Sequence, residues 1–209
     1  MINQSTELSN QYIELLCRAN ELRQKREYRQ AINIYNIIIA RFGKSIDLIR
    51  ILAICYFELG FYERDESNFK FAILLIKEAI NLAPNDDQLH ADLGQLYSLG
   101  ILEYQESAQE YRVAIELNPN NIDALMGSAA LYGVPEEVVT IDETIDWLER
   151  LVHLQPNDPN YHFRLGEIYY EIDQVEKATD EWLKALLCPK PLITSPAQTI
   201  NKLIGTNNT

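Results

Sequence analysis

The sequence predicts an all-α protein built from a repeated pair of antiparallel helices, and three observations carry that prediction. Pro84, Pro119, Pro156 and Pro189 recur at intervals of 35, 37 and 33 residues. Proline cannot continue a helix and disfavours helical geometry in the residue before it, so this spacing punctuates units of nearly constant length. Nine residues after Pro84, Pro119 and Pro156 stand the pairs Leu93-Gly94, Ser128-Ala129 and Leu165-Gly166, each followed three residues on by Tyr97, Tyr132 or Tyr169. Finally, Ser107, Tyr111 and Ala114 are spaced by four and three, which places small, large and small side chains on one face of a second helix. A helix carrying glycine beside leucine, facing one with small residues flanking an aromatic, is built to be crossed closely.

Taken in order, residues 1–11 are an N-terminal extension and the repeats cover 12–45, 46–86, 87–121, 122–158 and 159–191. In the first, Tyr28, Ala31 and Tyr35 supply the second-helix face and Gly43 ends it. Gly43-Lys44-Ser45 resembles the end of a phosphate-binding loop, but the glycine needed five residues earlier is Ile38, so the triplet is a helix terminator. Repeat two has Leu52-Ala53 and Tyr56, then about seven extra residues around Glu63-Arg64-Asp65-Glu66, which form a solvated loop or lengthen a helix. In repeat four Thr144, Leu148 and Leu151 replace the usual small and aromatic residues, and Gly133-Val134-Pro135-Glu136-Glu137 predicts a helix stop and a restart with proline and acid in the first turn. Repeat five carries Leu165, Gly166, Tyr169, Ala178, Trp182 and Ala185. Within 192–209, Ser195-Pro196-Ala197 opens a short helix with Ile200, Leu203 and Ile204 on one face, a cap for the open end of the array, before a disordered tail.

The pattern Leu-Gly-x-x-Tyr, small, aromatic, small, Pro at this period resembles the tetratricopeptide repeat, in which helix pairs of about 34 residues stack into a solenoid. The resemblance implies a right-handed superhelix whose first helices line a concave groove that binds polypeptide. Positions matched to that groove in repeats one and two are Leu16, Asn20, Arg23, Arg50, Ile54 and Phe57; in repeat three they are Ala91, Gln95 and Ser98. In repeats four and five they are Met126, Ala130, Phe163, Glu167 and Tyr170. The groove so assigned is basic early and acidic late, with Phe57, Met126, Phe163 and Tyr170 as pockets for apolar anchors. Relatives that grip acidic C-termini with a Lys/Asn set are not matched, because Asn20 is accompanied by Leu16, Gln88 and Asp92.

Composition narrows the partners. Residues 1–83 hold 11 Lys and Arg against 10 Asp and Glu, whereas 84–209 hold 7 against 21, so the C-terminal part carries almost all of the net charge of −13. Such a surface repels nucleic acid and favours a basic partner. No segment has the length and apolarity of a membrane span or a leader, which predicts a cytoplasmic protein, and Cys17, Cys55 and Cys188 are expected to be unpaired, the first two buried. His90 and His162 recur at the repeat period, three residues before Leu93 and Leu165, which points to packing; no metal-site or catalytic motif is present and no cofactor is expected.

A second interface is suggested by Ile34, Ile37 and Leu75, apolar where second helices normally carry charge, as Glu110, Glu181 and Lys184 do. The expected function is a non-catalytic scaffold, adaptor or assembly factor for a protein or peptide. The alternatives are a homo-oligomer, most simply a homodimer, formed through that apolar face, and a small-molecule sensor or enzyme using the groove.

Overall fold

The computed structural model describes residues 4–189, and the predicted capping helix of 192–209 lies outside them. Among the described residues the chain is helical with no strand. It divides between Leu117 and Asn118 into two compact units.

The first unit contains α1 (Gln4–Gln24), α2 (Tyr28–Phe42), α3 (Ile46–Glu63), α4 (Glu66–Leu82), α5 (Asp87–Gln95) and α6 (Tyr104–Leu117). Successive helices pack as antiparallel pairs, α1 with α2, α3 with α4, and α5 with α6, and each pair lies against the next. α1 begins at Gln4, so residues 4–11 continue the first helix instead of forming an extension. One apolar cluster gathers Ala19, Ala31, Tyr35, Ile38, Leu48, Leu52 and Cys55; the next gathers Ile49, Ala53, Ala72, Ile76, Leu89, Leu93 and Tyr97. The second unit contains α7 (Ile122–Ala130), α8 (Ile141–Leu154), α9 (Pro159–Glu171) and α10 (Val175–Leu187). Its buried residues include Leu125, Trp147, Leu148, Leu151, Leu165, Tyr169 and Trp182.

Local chemistry sets the boundaries. α4, α6, α8 and α10 each end two residues before a proline, at Leu82, Leu117, Leu154 and Leu187. Two residues after Pro84, Pro119 and Pro156 stand Asp86, Asn121 and Asp158, whose side chains accept from the first-turn amides of α5, α7 and α9. One proline thus stops a helix and a short polar side chain starts the next.

The close crossing is realised through glycine. A Cβ built on Gly94 would lie 2.7 Å from the Tyr111 ring, and one on Gly166 would lie 2.5 Å from the Trp182 ring.

Variable spacing between paired helices is absorbed in three ways. Repeat three has one residue more than repeat five between the first-helix tyrosine and the small residue of the second helix (97 to 107 against 169 to 178). The extra residue appears as a π-helical segment, Leu96–Ile101, continuing α5. In repeat two the extra residues lengthen α3 and α4 to 18 and 17 residues. Arg64 takes a left-handed conformation and Asp65 caps α4, so the charged stretch is a tight turn. In repeat four the predicted restart at Pro135 does not occur. Glu137 has a positive φ of 48°, which interrupts helical geometry, Val138 and Val139 are buried, and α8 starts at Ile141. There Thr140 and Glu143 form a reciprocal capping box.

Candidate functional site

In the first unit the inner helices α1, α3 and α5 are tied together by the polar side chains expected to meet a partner. The Arg23 guanidinium lies 3.9 Å from Glu58, and Arg50 forms a two-pronged pair with Asp92, its Nη2 donating to Oδ1 at 3.1 Å. Burial pushes the Glu58 carboxyl above its ordinary range, with Arg23 and Arg26 opposing the shift. Asn20 accepts from the Tyr35 hydroxyl at 2.6 Å. The basic start expected for the groove is therefore neutralised by acids on the next helix, because each arginine reaches one repeat along. Leu16 and Ile54 are half-buried, and Phe57 packs edge-on against Phe61 and Phe69 with centroids 4.9 and 5.8 Å away. Ala91 and Ser98 are buried, the Ser98 hydroxyl donating to the Gln95 carbonyl at 3.2 Å, so neither forms an open surface; the Gln95 side chain is exposed.

The second unit is different. The Tyr132 hydroxyl donates to Glu171 at 2.7 Å, and the Tyr161 hydroxyl points at the Met126 sulfur at 4.0 Å, which sets α7 beside α9. Met126 and Tyr170 remain 46% and 47% exposed, Ala130 is exposed, and Phe163 and Glu167 are half-buried. Phe163, Glu167 and Tyr170 share a face of α9 by their spacing of four and three, as Met126 and Ala130 share one on α7. Tyr170 rests on Trp182 with ring centroids 5.6 Å apart, which holds it in place while leaving nearly half of it open. Burial pushes the Tyr161 phenol up, helped by the Asp158 and Asp123 carboxylates, and the hydrogen bond to Glu171 pushes the Tyr132 phenol up. Asp123, Asp158 and Glu171 are the carboxylates acting on these two phenols. Arg164 donates to Glu167 at 3.2 Å.

The second predicted interface is rearranged. Ile34 is buried in the first apolar cluster and Leu75 packs against both clusters of its unit; only Ile37, at 51% exposure, is open. Ile34 and Leu75 are covered by side chains of the neighbouring helices, Leu75 lying where the two clusters meet. The α4 side chains Phe71 and Leu74 are 54% and 63% exposed.

The two period-related histidines form matching clasps. His90 Nδ1 meets Glu110 at 2.7 Å and its Nε2 meets the Pro84 carbonyl at 3.2 Å. His162 does the same with Glu181 at 2.6 Å and Pro156 at 3.0 Å. Each ring joins its helix partner to the turn that precedes it. Glu181, expected on the solvent side, is buried for this reason. Cys17, expected inside, is exposed, whereas Cys55 is buried. Burial pushes the Cys55 thiol up to about 12.

Tyr161, Glu58 and Glu171 are not singled out in the sequence, and Asp92 enters there only as a mismatch to the Lys/Asn set. A signal for them exists: Met126 and Tyr161, Arg50 and Asp92, and Tyr132 and Glu171 are separated by 35, 42 and 39 residues, close to one repeat. Among the described residues no group of three or more His, Cys, Asp or Glu is arranged to hold a metal ion, and no helix is long and apolar enough to cross a membrane.

No family model and no curated protein matches the chain. Solved structures do resemble it. A crystal structure of MamA superposes with a TM-score of 0.65 at 21% identity, covering 80% of this chain and 92% of that one. A second gives 0.66 at 17% identity over 95% and 96%, and residues 41 to the end of MamA from Desulfovibrio magneticus RS-1 give 0.65 at 15% over 95% and 97%. MamA is a tetratricopeptide-repeat-like protein, and the likeness shows that this chain has that helical-repeat fold.

Proposed function

We propose that the protein is a non-catalytic scaffold that binds a polypeptide on the inner face formed by α7 and α9. The observation that carries this reading is the pair of half-open apolar side chains, Met126 and Tyr170, the second held against Trp182 and sharing its helix face with Phe163. Held side chains lose little freedom on binding, and large apolar groups at the centre of a contact dominate its energy. The carboxylates Asp123, Glu167 and Glu171 favour a basic segment carrying apolar side chains. In the first unit the corresponding arginines are occupied by Glu58 and Asp92, which is why the site is assigned to the second. The fold found in MamA supports a scaffold over an enzyme. A cytoplasmic location belongs to the same proposal, supported by three unpaired cysteines.

Affinity capture from the source cell tests it, comparing the native protein with Met126→Ala/Phe163→Ala/Tyr170→Ala. A partner retained by the native protein and lost by the folded variant supports the site; equal retention by both removes it.

A second reading, self-association, is favoured by the exposure of Ile37, Phe71 and Leu74 on α2 and α4. Light scattering that shows a dimer converted to monomer by Leu74→Glu supports it, and a monomer at every concentration removes it.

A further inference from the structure

The turns that join α1 to α2 and α3 to α4 carry an aromatic edge that belongs neither to the inner face nor to the outer one. Tyr28 and Tyr62 meet edge-on with centroids 6.0 Å apart. Next to Tyr62 in the chain, Phe61 packs on Phe69 at 4.9 Å, and Phe69 is wedged between Gly60 and Gly100, within 3.2 Å of where a Cβ on Gly100 would stand. Phe61 is 52% exposed and Tyr62 67%, so both rings are open to solvent.

The charges around it are unevenly committed. Every carboxylate of these two turns is engaged by a donor of the chain: Glu27 by Gln30 at 2.6 Å, Glu63 by Arg29 at 2.5 Å, Asp65 by the Ser67 amide at 3.0 Å, and Glu66 by Lys70 at 2.8 Å. The side chains of Lys25, Arg26 and Arg64 are exposed and make no hydrogen bond or ion pair among the described residues, although the three backbone amides donate to the Glu21, Arg23 and Gly60 carbonyls; the Arg26 guanidinium acts on Glu58 only through longer-range attraction. One further exposed carboxylate, Glu21, lies a turn back on α1, four residues before Lys25. A protein with net charge −13 thus presents uncommitted cations beside open aromatic rings at one place.

We infer that this edge is a second docking surface, for an acidic polypeptide segment carrying phenylalanine or leucine side chains. Carboxylates of the segment pair with Lys25, Arg26 and Arg64 while its apolar side chains cover Phe61 and Tyr62. This chemistry is opposite in charge to that of the α7/α9 face, so the two surfaces take different ligands.

The backbone supplies a selective test. Arg26 and Arg64 have positive φ of 61° and 55°, a conformation glycine adopts without strain, so Arg26→Gly and Arg64→Gly remove charge while the turns keep their shape. A fluorescein-labelled synthetic peptide repeating Glu-Phe-Asp-Leu, titrated by anisotropy at low salt, is expected to bind the full-length protein. Binding should weaken about tenfold in the double glycine variant and about as much in Tyr62→Ser, and should weaken again when salt is raised toward 1 M. Met126→Ala should bind this peptide as the native protein does. The inference is overturned if the acidic peptide does not bind, if a Lys-Phe-Lys-Leu counterpart binds equally well at this edge, or if the glycine and Tyr62→Ser variants bind unchanged.

Discussion

Replacing Gly166 by alanine tests how closely the paired helices cross, because two effects of opposite sign compete. Alanine is better than glycine inside a helix by about 1 kcal/mol, so in an open position the change stabilises. Here the new methyl group would stand 2.5 Å from Cδ1 and Nε1 of Trp182 and 3.1 Å from the Ala178 carbonyl. The Trp182 ring is 3% exposed, so it has no free space to retreat into, and the carbonyl closes the other side. Overpacking of this kind costs roughly 1–3 kcal/mol, and a clash with both a rigid ring and backbone lies in the upper part of that range. The net expectation is a loss of about 1–2 kcal/mol, or a few degrees in Tm at about 2–4 °C per kcal/mol for a chain of this length. Urea unfolding followed by far-ultraviolet circular dichroism measures it. A double-mutant cycle with Trp182→Leu isolates the cause, since shrinking the ring should abolish the penalty and let the propensity gain show. A gain of about 1 kcal/mol for Gly166→Ala with Trp182 intact would refute the close crossing.

Three further outcomes follow from single environments. His162→Ala should destabilise by about 1–3 kcal/mol, because it removes the partner of the buried Glu181 Oε2, leaving that carboxylate only Lys184 on Oε1 at 2.7 Å, and the His162 partner of the Pro156 carbonyl; His90→Ala should cost less, since Glu110 is 25% exposed and is rescued by water, and equal losses in chemical denaturation would argue against the clasp. Ser128 is 1% exposed and its hydroxyl has no partner, so Ser128→Ala should raise stability by about 1 kcal/mol, whereas a loss of that size would reveal a bond the hydroxyl makes. Burial pushes the Tyr35 phenol up to about 12 from 10.0; its contribution is therefore full below pH 10 and is lost as pH rises toward 12, and phenolate absorbance showing Tyr35 titrating near 10 in the folded protein would contradict its burial.

The repeat architecture was legible in the sequence because proline, glycine and aromatic residues act locally and recur. Pro84, Pro119 and Pro156 stop helices wherever they occur, and the Gly94 and Gly166 positions can be matched to Tyr111 and Trp182 by spacing alone. What was not legible depends on partners one repeat away. Arg23 and Arg50 read as a basic groove until Glu58 and Asp92 are placed beside them, and Ile34 and Leu75 read as an outer surface until the neighbouring helices that cover them are placed. The restart in repeat four was misplaced because Pro135 is a favourable first residue, while the left-handed backbone at Glu137 and the burial of Val138 and Val139 are tertiary outcomes. Glycine-free left-handed turns at Arg26 and Arg64 carry no sequence signal at all.

Hydrogen exchange on the native protein bound to its captured polypeptide partner tests the central claim most directly, because it reports which backbone amides the partner covers. Slowed exchange confined to α7 and α9, around Met126, Phe163 and Tyr170, is the result this account predicts. Unchanged exchange there, with protection along α2 and α4 around Ile37 and Leu74, would contradict it.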